Sequence, residues 1–280
     1  MIYFLIKRLL WMVVTLWIVF TVSFFLMRAV PGGPFDSERR LPPEIEANIK
    51  SRYHLDEPVW MQYLRQLGNV VRGDLGDCYR RDLPVNRYIQ EGLPVSAALG
   101  ILAMAFALAL GLTAGIVAAV FRGTVGDVAM RSAATLGIAL PNFVIAGLAI
   151  IGLVFLIPVF PAAGWGTFGQ LVLPAMCLGA PYAAYVARIA RTSMLDVLSQ
   201  DHIRTARAKG LSKTQVVLRH ALPGALLPVV SFLGPATAGI LTGSLVIERI
   251  FFIPGLGSHF VQAALDRDYT LSMGLVLLYT

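Results

Sequence analysis

Charged side chains are scarce in this sequence. They make up 14% of 280 residues, where a soluble domain of this size carries about 25%. With 57% hydrophobic residues beside it, that scarcity excludes a water-soluble globule and leaves an integral membrane protein. Cysteine is scarcer still. Cys78, in a polar stretch, and Cys177, in an apolar run, are too few for a disulfide framework and fall at different depths. No grouping of ligand residues has the spacing of a metal site. The chain contains no Gly-x-x-x-x-Gly-Lys-Ser/Thr loop, so it has no phosphate cradle of that kind. His54, His202, His220 and His259 fall in loops or near span ends, which argues against an intramembrane hydrolase.

What is present is a series of charge-free runs, each read against the roughly 20 apolar residues that a helix needs to cross a bilayer. Leu9 to Met27 is the first, closed by Arg28 and Pro31-Gly32-Gly33-Pro34. Its length and the lack of a small-residue cleavage site make it an anchor, not a signal peptide. The second lies within Gly92 to Phe121. From Ser132 to Ala187 no charge appears, and Pro158, Pro161 and Gly164-Trp165-Gly166 divide that run into spans near 133–157 and 171–190. The fifth lies in Ala221 to Ile247. Tyr269 to Thr280 is apolar again but reaches only about 18 Å as a helix, so the chain is read as ending inside a sixth span.

The basic residues orient these spans. Lys7 and Arg8, then Arg122 and Arg131 against Asp127, then Arg188, Arg191, Arg204, Arg207, Lys209, Lys213 and Arg219 against Asp196 and Asp201 belong to one side. That side is cytoplasmic, and the N-terminus lies on it. The asymmetry accounts for the net charge of +7 without a nucleic-acid partner. The chain is therefore organised as an N-terminus and first span in 1–30, an external loop domain in 31–92 and a membrane core in 93–280.

Loop 31–92 is too long for a simple connection. Pro42-Pro43-Glu44 predicts one short helix, and Pro58 opens another in which Val59, Tyr63, Leu67 and Val70 recur at helical spacing; a turn follows at Gly73-Asp74-Leu75-Gly76. This loop is either a docking surface for an external partner or a lid over helix ends. On the other side, Asp201-His202-Ile203-Arg204-Thr205-Ala206-Arg207-Ala208-Lys209-Gly210 predicts a helix with an acid at its start, bases at its end and a glycine cap. Ser212-Lys213-Thr214-Gln215 is a capping box, so a second helix starts at once and is expected to stop at Pro223. A polar helical hairpin is more than a chain reversal needs. It is either a docking site for another protein or an interfacial helix on anionic lipid.

Thr205-Ala206 with Gly210 beyond, then Leu222-Pro223, resembles the EAA signature of permease subunits in binding-protein-dependent ABC importers. Arg204 stands where that signature has an acid, Thr205 for its first alanine and His220 for its isoleucine, as in the peptide branch. Met27-Arg28-Ala29-Val30-Pro31-Gly32-Gly33-Pro34-Phe35, Tyr53-His54-Leu55, Pro94-Val95-Ser96-Ala97, Gly234-Pro235-Ala236, Val246-Ile247-Glu248 and Arg267-Asp268-Tyr269 extend the resemblance along the whole chain, to B-type permease subunits of oligopeptide importers.

The resemblance implies an all-α polytopic fold, the type I ABC importer transmembrane domain with about six membrane helices. It implies that the chain forms half of a path for peptides in a bacterial inner membrane. Its partners would be a second homologous permease subunit, two ATP-binding subunits and a periplasmic peptide-binding protein. ATP and magnesium would sit on the ATPases, with no cofactor on this chain. Coupling would fall to Asp201, Ile203, Arg204, Thr205, Ala206, Arg207, Ala208, Gly210, Leu211, Leu222 and Pro223.

The loop after the fifth span, with Glu248, Phe251, Phe252, Pro254, Gly255 and Gly257, is apolar, aromatic and broken by Pro-Gly-x-Gly. It is expected either to fold back as an outer gate or to serve as an interfacial aromatic belt. Ser231, Thr237, Thr242 and Ser244, with no acid or base inside the spans, suit a hydrated path. They also argue against a proton- or sodium-coupled carrier, the main rival class. Within the family the alternatives are dipeptide, nickel or glutathione permeases.

Overall fold

The computed structural model describes residues 1–30, 48, 51–79 and 83–280; the side chains of residues 242 and 243 are not described. Among the described residues the structure is helical, with one isolated β-bridge between Asp77 and Pro84. It divides into two compact units, residues 1–94 with 255–280, and residues 95–254. Among the described residues four helices are long and apolar enough to cross a membrane, and a fifth candidate is a bent pair.

In the first unit, α1 (Ile2–Ala29) is apolar all round, and only Phe20 and Phe24 are buried. Leu9, Leu10, Trp11 and Val13 are exposed, as expected of a span that meets hydrocarbon. Helix α2 (Val59–Val71) starts behind Pro58 as the sequence predicts. Its stripe of Tyr63, Leu67 and Val70 packs on Phe20, Phe24 and Met273, so this loop helix rests on the end of the first span. The Tyr63 hydroxyl ties the two together: it accepts from Trp17 Nε1 at 3.1 Å and lies 2.9 Å from Thr21 Oγ1. Arg28, at the end of α1, stacks its guanidinium 3.7 Å over the Phe24 ring and donates to Gln62 at 2.9 Å. The helix expected at Pro42-Pro43-Glu44 lies outside the described residues.

The expected turn is present, with Gly73 and Gly76 at φ +79° and +84°. Asp268 holds this turn region against the C-terminal helices of its unit. Its carboxylate, 2% exposed, accepts from Cys78 Sγ at 2.8 Å and the Tyr79 amide at 2.8 Å while capping α11 (Tyr269–Tyr279) through the Leu271 amide at 3.0 Å. The short helix α10 (Leu256–Leu265) precedes it. Neither cysteine forms a disulfide, as expected; Cys177 is buried in an apolar cluster of the other unit.

Helix α3 (Val85–Val120) begins earlier than the run from Gly92 suggests: Arg87 and Glu91 are exposed to solvent and pair at 2.8 Å one turn apart, so their charges do not end the helix; the division between units falls inside it. In the second unit follow α4 (Val125–Ala139), α5 (Asn142–Ile150), a π-helical turn (Ile151–Leu156) and α6 (Phe168–Leu198). Beyond them come α7 (Asp201–Ala208), α8 (Lys213–Gln215), a second π-helical turn (Val216–Ala221) and α9 (Leu222–Ile250). Helix α6 is the hub, packed against α4, α5 and α9.

Two sequence expectations need correction here. The span expected near 133–157 begins at Val125 and breaks between α4 and α5, which are bent by 110°. Pro141 lacks an amide and drives Leu140 into an extended conformation, φ −82° and ψ 129°. The helix expected to stop at Pro223 instead continues into α9. The Leu222 amide donates to Val217 five residues back, and this widened turn makes room for the proline ring at the start of α9.

Candidate functional site

The helical hairpin of residues 199–223 is built from caps. Asp201 lies in the first turn of α7 and Arg207 in the last, as the helix dipole favours. The Gly210 amide donates to Arg207 at 3.0 Å and the Leu211 amide to Ala206 at 3.4 Å, the pair of bonds of a Schellman cap. Gly210 has φ +79°, where a side chain costs about 1–2 kcal/mol. Ser212 Oγ then accepts from the Gln215 amide at 3.3 Å while Gln215 Oε1 accepts from the Ser212 amide at 3.1 Å, closing the capping box read from the sequence.

Packing gives the hairpin two faces. Ile203 and Ala206 are buried against Met194, Val197, Val216, Ala221 and Ala225, with Leu211 partly buried beside them. Asp201, Arg204, Thr205, Arg207, Ala208 and Gly210 are exposed, and so is Pro223, while Leu222 is half-buried. The cationic face is anchored on the end of α6 and is exposed: among the described residues Arg204 has one ion pair, with exposed Asp201 at 3.2 Å, the kind of contact worth about 0–1 kcal/mol. A surface of that form can receive another protein without rearranging its own backbone.

The segment after α9 divides its aromatic residues. Phe251 is fully buried in a cluster with Leu99, Leu173, Ile240, Ile247 and Ile253, and its carbonyl accepts from the Gly164 amide at 2.9 Å. Phe252 is 74% exposed and takes φ +54°, a left-handed conformation unusual for a bulky residue. Of the two, Phe252 is displayed and Phe251 anchors the loop. Pro254 is exposed, Gly255 precedes α10 in an extended conformation, and Gly257 is buried in α10.

Buried carboxylates occur at the ends of the long helices, and Glu248, one residue past the fifth charge-free run, is the first case. It is fully buried in the last turn of α9 and accepts from Ser96 Oγ at 2.7 Å. Asp127, 2% exposed, is the second case. Arg191 grips its carboxylate with two bonds, 2.7 and 2.9 Å, and the Gly123 amide adds a third at 3.0 Å. Both carboxylates are tolerated because partners on neighbouring segments replace water. Of the hydroxyls expected to suit a path, Ser231 and Thr237 lie on the exposed side of α9, whereas Ser244 is buried. Sequence reading also passed over Gly111 and Gly115. A Cβ at Gly111 would come within 2.6 Å of the Ala183 carbonyl oxygen, and one at Gly115 within 2.5 Å of that of Ala187. The signal was available as Gly-x-x-x-Gly inside an apolar run.

Residues 111–280 match the family described as binding-protein-dependent transport system inner membrane component, and residues 1–99 match the N-terminal segment described for membrane components of such systems. The chain is 47% identical, over 99% of its length and 92% of the relative, to the oligopeptide transport system permease protein OppB of Haemophilus influenzae. It is 44% identical, with the same coverage, to OppB of Escherichia coli K12. The dipeptide transport system permease protein DppB of Bacillus subtilis is 41% identical over 99% of this chain and 90% of that one. Among solved structures, a chain of the MetNI methionine ABC transporter in an inward-facing conformation shares the fold, with a TM-score of 0.56 and 19% identity over 69% of this chain and 89% of that chain.

Proposed function

The chain belongs to the family of binding-protein-dependent transport system inner membrane components, and from that premise we propose that it is one of two permease subunits in an ATP-driven oligopeptide importer. Its N-terminus and the 199–223 hairpin face the cytoplasm, and residues 31–92 face outward. The basic loop residues support this orientation. Two partner ATPases bind and hydrolyse ATP with magnesium, and their closure is conveyed to the membrane helices through the hairpin. A second, homologous permease completes the path, and a peptide-binding protein delivers cargo to the external loop.

The observation that carries the coupling role is the two-faced hairpin, with Ile203 and Ala206 anchored on α6 and Arg204, Thr205 and Arg207 displayed outward. Force applied to that outward face reaches α6 through packed side chains, and α6 is in contact with α4, α5 and α9. The oligopeptide cargo is supported by the names of the relatives at 44–47% identity, and the dipeptide-named relative at 41% supports the second reading of the cargo.

Buried Glu248 keeps a proton-coupled carrier worth testing, because ionisable groups inside membrane proteins often serve proton relays. In liposomes, uptake should require this chain, the second permease, both ATPases, ATP and the external binding protein. Omission of any one should abolish it, and dipeptides should compete weaker than longer peptides. Accumulation of peptide by this chain alone on a proton or sodium gradient would replace the importer with a carrier; equal preference for dipeptides would move the cargo to the second reading.

A further inference from the structure

Helices α4 and α6 enclose a cavity of about 140 Å³ with α3 as its floor, all within the second unit. Its walls are apolar or small, with Ala114, Ala118, Met130 and Ala134 among them, and its rim is Arg131, Arg188 and Arg191 with Thr135 and Thr192. The charges of the rim do not cancel. Asp127 takes both of its close guanidinium bonds from Arg191, while Arg131 stands 3.6 Å away on the same carboxylate and is half-exposed. The Arg188 carbonyl accepts from Thr192 Oγ1 at 3.0 Å, but its guanidinium makes no hydrogen bond or ion pair among the described residues and lies 5.1 Å over the Tyr185 ring. The rim therefore carries three cations, of which Arg191 is bound closely by Asp127, and among the described residues no acceptor lies within hydrogen-bond distance of the guanidinium groups of Arg131 and Arg188.

Depth narrows the ligand. Helix α6 starts at Phe168, which is 70% exposed and follows Trp165, an aromatic pair of the kind found at membrane interfaces. At about 1.5 Å per residue, Arg188 lies about 30 Å along the axis from Phe168. That is about the thickness of the hydrocarbon core, so the arginine rim falls where lipid phosphates lie, with the apolar walls running back toward the acyl chains.

We propose that this cavity binds an anionic phospholipid, its phosphodiester held by Arg131 and Arg188 and the start of an acyl chain against Met130 and Ala134. Arg191 stays committed to Asp127 and fixes the spacing of the rim. The site depends on the depth and charge of α4 and α6 and not on the coupling role of the hairpin, and its test reads lipid occupancy instead of transport.

The assembled importer in nanodiscs is labelled with a photoreactive phosphatidylglycerol, and the labelled peptides are identified by mass spectrometry. Label should concentrate on residues 130–135 and 187–192. Unlabelled phosphatidylglycerol should compete, whereas phosphatidylcholine, inorganic phosphate and saturating oligopeptide should not. Arg131→Gln and Arg188→Gln should each lower the label about fivefold, and Arg188→Lys should retain most of it. The proposal is overturned if a phosphatidylcholine probe labels these segments equally, if neither substitution changes the yield, or if peptide or free phosphate displaces the probe. The competition series on the unaltered protein decides the question even if a substituted chain fails to assemble.

Discussion

Alanine at both Gly111 and Gly115 should strip most of the folded chain from the membrane. The obstacle at each position is a backbone carbonyl, 2.6 Å and 2.5 Å from the new methyl carbon, with the β-carbons of Val186 and Ala190 at 2.8 Å behind them. A side chain could swing aside, but a carbonyl inside a helix can yield only if α3 and α6 part. Overpacking costs about 1–3 kcal/mol at a position that can relax, so two such positions remove a large share of a total stability of about 5–15 kcal/mol. Helix α6 also contacts α4, α5 and α9, and its displacement loosens the whole second unit. Gly147→Ala is the control, since nothing lies within 4 Å of its added methyl. Thermal unfolding of the purified protein and its yield from membranes give the readout; wild-type melting of the double variant would show that the helices do not approach as described.

Ile203→Asp should release the hairpin while the spans stay folded. Ile203 is fully buried in the cluster at the end of α6, and the substitution removes its apolar contacts and leaves a carboxylate without a partner there. The two effects together cost about 3–5 kcal/mol, concentrated on a short element whose remaining face is solvated. Tryptic cleavage at Arg204, Arg207, Lys209 or Lys213 should then accelerate on the order of a hundredfold, as local opening of about 3 kcal/mol implies. Arg207→Ala, on the exposed face, should leave cleavage elsewhere in the hairpin unchanged yet reduce peptide uptake. Equal protection of Ile203→Asp and the unaltered chain would contradict the anchoring of α7.

How far the sequence carried the fold can be judged at these same residues. Caps are local, and they were legible: Ser212 with Gln215, Gly210 after Arg207 and Lys209, and Pro58 before Val59 all stand where chain order alone puts them. Charge-free runs located the spans for the same reason. Their limits were not legible, because a charge ends an apolar run in sequence but not a helix in space. Asp127 reads as a loop residue in sequence, yet Arg191, far along the chain, satisfies it inside the first turn of α4, which begins at Val125. Glu248 ends a charge-free run in sequence, yet in space it is buried beside Ser96.

Prolines misled in both directions. Pro141 breaks a run that looked continuous, whereas Pro223 fails to break one because a π-helical turn precedes it. The outcome depends on hydrogen bonds to residues on either side, which spacing does not reveal. The exposed half of the hairpin was visible as a motif, but which residues of that motif are anchors and which are displayed came only with packing: Ile203 and Ala206 point inward, Arg204, Thr205 and Arg207 outward.

The proposed coupling requires that outward face to receive an ATP-binding subunit. A photoreactive amino acid at Thr205, exposed beside Arg204, in the assembled importer tests it most directly. The expected result is a crosslink to the ATP-binding subunit, lost when Ile203→Asp undocks the hairpin, with none from the same group placed at Leu64 on the exposed side of α2. Crosslinks from Thr205 to lipid or to this chain alone, together with capture of the ATP-binding subunit from Leu64, would contradict it.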